Sequence, residues 1–169
     1  MEEALTVLRR LPVFRHTSLE TIKLYAYLSR KEQYSAREII LRQGTACDGV
    51  RLIIRGEVLI SHTAEERTIR LQALSGDHLN YFGELALISE FDWFFNAHAV
   101  TDVEVLMISR NAFKKVMERF PENYMDVVAK IVRLRVNRFN HQTDYLINNM
   151  GEEALNNLAA DIPLETLHR

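Results

Sequence analysis

Phe82-Gly83-Glu84-Leu85-Ala86-Leu87-Ile88 sets a glycine, a carboxylate and a short apolar run between two blocks of β-type sequence. If Leu85 to Ile88 is one helical turn, the amides at its start lack intrahelical partners and favour an anion beside them. Gly83 lets the backbone approach closely, and Glu84 supplies an acceptor for hydroxyl groups. Together they suit a ligand that carries a donor, such as a sugar hydroxyl, next to its phosphate.

Outward from this cassette, short strand-like runs dominate. Ile39-Ile40-Leu41, Val50 to Ile54, Val58-Leu59-Ile60 and Thr68 to Gln72 precede it, with Gly44, Gly49, Gly56 and Gly76 between or beside them. Ala97 to Thr101 and Val103 to Ile108 follow. Helical spacing is confined to the two ends of the chain. Glu2 to Arg10 carries Leu5 and Leu8, and a second helix starts at a Thr17/Glu20 capping box and presents Ile22, Tyr25 and Leu28. Ser109 or Asn111 caps a helix through Phe113, Val116 and Met117 that Phe120-Pro121 ends. Many short strands with helices at the ends predict an antiparallel sandwich or roll, mainly β.

Gly44-Thr45-Ala46-Cys47-Asp48-Gly49, Arg55-Gly56-Glu57-Val58, Leu74-Ser75-Gly76-Asp77 and the cassette occur in an order that resembles the cyclic nucleotide-binding domain family. That family includes the catabolite activator type of bacterial regulators and the regulatory subunits of cyclic-AMP-dependent protein kinase. The resemblance spans roughly residues 8–149. It implies an eight-stranded double-stranded β-helix, jelly-roll-like, with N-terminal helices and a long C-terminal helix. It also implies that Gly83, Glu84, Leu85 and Ala86 bind a cyclic phosphate and ribose, with Glu84 on the 2′-hydroxyl.

The resemblance fails at one place. Members that bind cyclic nucleotides carry an arginine about nine residues after the cassette glutamate, followed by small residues; here those positions are Trp93, Phe94 and Phe95. An indole N–H does not replace a guanidinium fork on phosphate. The triplet is expected either to plug the old pocket or to form an aromatic wall for an altered, planar ligand.

Residues 122–150 form a long helical segment without internal Gly or Pro. Met125, Ala129, Val132, Val136, Phe139, Thr143, Leu146 and Met150 recur at spacings of four and three, the seam by which two helices wrap together. Val132, Val136, Phe139 and Leu146 are the expected dimer contacts. Val127, Val128, Ile131 and Leu134 form a second strip suited to packing on the roll. The organisation is thus a domain over 1–121, a dimerisation helix over 122–150, and a tail over 151–169 with one short helix, Glu153 to Ala160, and no room for a helix-turn-helix.

Composition bounds the function. The chain has 169 residues, a net charge of −2, one cysteine and no long apolar run. The overall charge points to neither nucleic acid nor membrane, the lone Cys47 fits a reducing compartment, and a cytoplasmic placement follows. The six histidines are isolated, so His62, His78 and His98 are not expected to bind metal or haem, and no catalytic set is suggested. Arg133, Arg135 and Arg138 read as a solvated face. The expectation is a regulatory module, not an enzyme, that senses a cyclic nucleotide or other small anionic or aromatic effector and signals through a dimeric helix to an output partner not named by the sequence. Its binding is weak or altered because Trp93 holds the arginine position. The alternative is a ligand-free scaffold whose pocket is plugged by Trp93, Phe94 and Phe95.

Overall fold

A computed structural model describes residues 2–65, 67–78, 80–149 and 151, without the side chains of Pro12 and Leu146. In chain order it has α1 (Glu2–Arg10), α2 (Leu19–Leu28), β1 (Arg30–Tyr34), β2 (Ile39–Leu41), β3 (Gly49–Arg55), β4 (Glu57–Ala64), β5 (Arg67–Ser75), β6 (Tyr81–Phe82), a 3-10 turn (Glu84–Leu87), β7 (Asn96–Ala99), β8 (Val103–Ser109), α3 (Arg110–Arg119) and α4 (Tyr124–Asn149). The strands form two antiparallel four-stranded sheets in the orders β1-β8-β3-β6 and β2-β7-β4-β5. The eight-stranded roll expected from the sequence is therefore the architecture observed.

Burial on two faces explains the reading of β3 and β8. Val50, Leu52, Leu106 and Ile108 pack beneath the helices with Leu8, Ile22, Tyr25, Phe113 and Val116. Ile53, Val103 and Val105 point the other way, into the roll. A strand covered on both sides becomes a nearly continuous apolar run. The second sheet buries one face only. Val58, Ile60, Leu74, Ala97 and Ala99 enter the roll, which is why Ala97-His98-Ala99 alternates. Val127 and Ile131 of α4 join the helical cluster, as their strip predicts. Each large apolar side chain so buried contributes about 1.5–3 kcal/mol.

Several details differ from the sequence reading, among them β5, which runs over Arg67–Ser75 where Thr68 to Gln72 was expected. Ser18, not Thr17, caps α2, its Oγ accepting from the Thr21 amide at 3.1 Å. β7 stops at Ala99, because the chain turns there and Val100 is exposed. β1 has no apolar signature, and β6 is only the two residues Tyr81–Phe82. β1 is a polar edge strand held by pairing with β8 and by Lys31, which bridges Glu104 at 2.6 Å and Glu3 of α1 at 2.8 Å.

Among the described residues, Arg51 and Glu84 are buried charged side chains. Arg51 of β3, paired opposite Met107 and Phe82, is buried and forms a two-pronged bridge to Asp48 at 2.7 and 2.9 Å. Its Nε stands 3.3 Å from Glu32 Oε2, an ion-pair distance without hydrogen-bond alignment. The Tyr34 hydroxyl donates to the same Glu32 oxygen at 2.8 Å. Partial burial raises the Asp48 carboxyl, but the hydrogen bonds and charge of Arg51 outweigh it and hold it below the ordinary carboxylate value.

The chain divides into two compact units, Met1–Ile131 and Val132–Arg169. Within the second, Val132, Val136 and Phe139 of α4 are exposed, Phe139 to 64%. The expected contact through the Leu146 side chain, the end of the seam at Met150 and the short helix expected over 153–160 lie outside the described residues.

Candidate functional site

Gly83 stands at the hinge between β6 and the 3-10 turn, with φ 86° and ψ 16°. A side chain is excluded there twice over. The left-handed backbone disfavours any L residue, and a Cβ would lie 2.8 Å from both the Gly49 carbonyl oxygen and Trp93 Cη2. The turn that follows is a single short 3-10 segment because only Glu84–Leu87 separate Gly83 from Ile88, whose amide closes onto Leu85 O at 3.1 Å. Glu84 is buried, Leu85 packs toward the helical cluster and Ala86 enters the roll. The Ala86 amide donates to Gly83 O at 3.0 Å, so that donor is used inside the turn.

Trp93 lies across this hinge. Its indole is 2% exposed and belongs to the interior of the roll, edge-on to Phe91 with centroids 5.5 Å apart and tilted against Phe95 at 5.4 Å. Its backbone is fixed as firmly as its ring. Trp93 N donates to Thr45 O at 2.8 Å, Gly44 N donates to Trp93 O at 2.7 Å, and Cys47 N donates to Phe91 O at 2.9 Å. Residues 91–93 thus form a short antiparallel ladder with the loop between β2 and β3, bridged at Ala46 and Asp92. Phe95 is buried beside Trp93, whereas Phe94 is 48% exposed and its carbonyl accepts a 2.6 Å hydrogen bond from His62 Nδ1. The triplet is divided: two rings point inward and one outward.

A groove of about 570 Å³ runs behind the turn, lined by Leu87, Ile88, Glu90, Phe113, Met117 and Tyr124 among others. Its lining includes neither Gly83 nor Trp93. Among the described residues, no three His, Cys, Asp or Glu side chains are grouped to hold a metal ion. No described helix is long and apolar enough to cross a membrane.

The family model of the cyclic nucleotide-binding domain matches residues 31–120, more than half of the chain and all of the eight strands except Arg30. The chain belongs to the cyclic nucleotide-binding domain family. Over 123 residues it is 37% identical to the cGMP-dependent protein kinase, isozyme 1, of Drosophila melanogaster, covering 69% of this chain and 16% of that protein. The chain spans about one-sixth of the length of the curated relatives it matches. Among solved structures, a cyclic nucleotide-binding domain from Methylobacillus flagellatus aligns with a TM-score of 0.75 at 20% identity, over 89% of this chain and 85% of that one. The regulatory domain of Toxoplasma gondii PKA with cAMP aligns with a TM-score of 0.65 at 22% identity, over 78% and 49%. These two likenesses bear on the fold.

Sequence reasoning singled out Gly83, Glu84 and the aromatic triplet but passed over two arginines: Arg51, bonded to Asp48, and Arg110, bonded to Ala86 of the cassette turn. Arg51 was visible as the one charge inside the apolar run Val50 to Ile54. Arg110 carried no signal. It lies at the start of α3, one position past the Ser109 cap, and only the fold brings it against the cassette.

Proposed function

We propose that this chain is a regulatory module of the cyclic nucleotide-binding type in which Trp93 and Phe95 fill the recess a nucleotide would enter. It works as a scaffold that pairs through the stripe Val132, Val136 and Phe139. One observation carries the reading: the indole of Trp93 rests on Gly83 closely enough that even a Cβ there would collide with it. A cyclic phosphate needs that surface and a cation beside it, and Trp93 occupies the first while lacking the second. The internal use of the Ala86 amide supports the same conclusion. Unmodified cyclic nucleotides should therefore bind weakly or not at all.

Titration calorimetry with cyclic AMP and cyclic GMP tests this directly. Silence at millimolar ligand is expected, and saturable heat at micromolar ligand would overturn the plug. Light scattering tests the pairing, and a monomer at high concentration would refute it.

Buried Glu84 favours a second reading, a sensor of another ligand, because the acceptor for a hydroxyl is retained beside the left-handed glycine. A thermal-shift screen with nucleotides and planar aromatic metabolites separates the two. A saturable shift abolished by Glu84→Ala would replace the scaffold with the sensor.

A further inference from the structure

We infer that Arg110 is the positioning residue that makes α3 follow the cassette and its plug. The inference rests on Trp93 acting as the plug. The guanidinium of Arg110 reaches three separate elements. Nε donates to Ala86 O in the cassette turn at 2.6 Å, and Nη1 to Glu90 Oε1 at 2.9 Å. Nη2 donates to Cys47 O at 3.1 Å and to Cys47 Sγ at 2.8 Å. The Arg110 amide donates to Asp48 O at 2.9 Å, so the backbone of α3 is tied to the same loop.

The acceptors are the important part. Ala86 sits in the turn that starts at Gly83, on which the indole rests, and Cys47 sits in the loop to which the backbone of residues 91–93 is laddered. Arg110 therefore bonds to the same two elements that Trp93 contacts. The Ile88 and Ser89 amides close onto Leu85 O, whereas Ala86 O near the end of the turn accepts from Arg110, and a cation at a helical C-terminus is favourable. The side chain of Arg110 is only 17% exposed, so its bonds to Ala86 and Cys47 are little screened; Glu90, 80% exposed, contributes less. Lysine would keep the charge but lose the planar fork that reaches turn and loop together.

Amide hydrogen exchange on the full chain, free of any nucleotide, tests the coupling. Wild type, Trp93→Ala, Arg110→Gln, Arg110→Lys and the double variants with Trp93→Ala are compared over peptides covering 84–90 and 110–119. Trp93→Ala should speed exchange roughly tenfold in both peptides. In either Arg110 background, it should speed exchange over 84–90 alone. A residue with a merely structural role gives additive effects instead. An equal response of 110–119 to Trp93→Ala with and without Arg110 would overturn the inference, as would no response of 84–90 at all. If Trp93→Ala does not fold, Trp93→Phe provides the same comparison with a smaller step. Failure here with nucleotide silence intact would remove the clasp and leave the plug; micromolar nucleotide binding would remove the plug.

Discussion

Truncating Trp93 to alanine should cost about 3–5 kcal/mol of folding stability, the range for removing a fully buried Trp or Phe. The structure sets that figure. With the indole 2% exposed, nearly all of its surface is out of water. An aromatic side chain that buries roughly 150–250 Å² gains about 4–6 kcal/mol at ~25 cal/mol per Å², an upper bound because the unfolded chain already hides part of it. Urea unfolding followed by circular dichroism should show a lower midpoint with an unchanged slope. Phe94→Ala serves as the control, since its ring is half exposed and should cost under about 1 kcal/mol. The truncated protein also acquires an apolar hole over Gly83, and holes of that kind stay dry and accept small aromatic molecules. Added indole should raise the midpoint of Trp93→Ala and leave wild type unmoved. A loss below about 1 kcal/mol for Trp93→Ala, or equal losses for the two variants, would refute the placement of the ring and the plug with it.

Gly83→Ala should lose about 2–4 kcal/mol, from the left-handed backbone and the collision with Gly49 and Trp93 together, read from the same urea curves. Gly83→Ala in the Trp93→Ala background should cost less, because one of the two obstacles is gone. Acid should destabilise the domain through Asp48. Its folded pKa lies below the unfolded value of about 3.9, so its contribution is present above that value and disappears as pH falls through the folded pKa. Asp48→Asn should flatten the acid limb of a stability-versus-pH series below about pH 4, and an unchanged limb would contradict the Arg51 bridge. Phe139→Asp, in an exposed position of α4, should shift light-scattering mass from dimer to monomer while leaving the unfolding curve of the roll in place.

The roll was legible because its strands differ in the number of faces they bury. Doubly covered β3 and β8 read as apolar runs, singly covered β7 as an alternation, and left-handed Gly83 as a break before a turn. The charged edge β1 and two-residue β6 were not legible, since each exists only through its neighbours. The aromatic triplet stood out in the sequence, but its split was beyond sequence: alternation at an irregular loop does not say that Trp93 and Phe95 turn inward while Phe94 turns out. Arg110 was the least legible of all. Its acceptors lie 20, 24 and 63 residues away along the chain, and two of them are backbone carbonyls, which no side-chain pattern encodes.

Strand β5 lies at the open margin of its sheet, nine residues long, with Ile69 and Leu71 turned to solvent. Such a margin invites neighbouring molecules to stack, and Arg67 and Arg70 on the same strand oppose this by mutual repulsion. Concentrated salt weakens that repulsion, so shelf life in buffer should shorten as ionic strength rises even though the fold is untouched. Crystallisation and storage are therefore best begun at low salt.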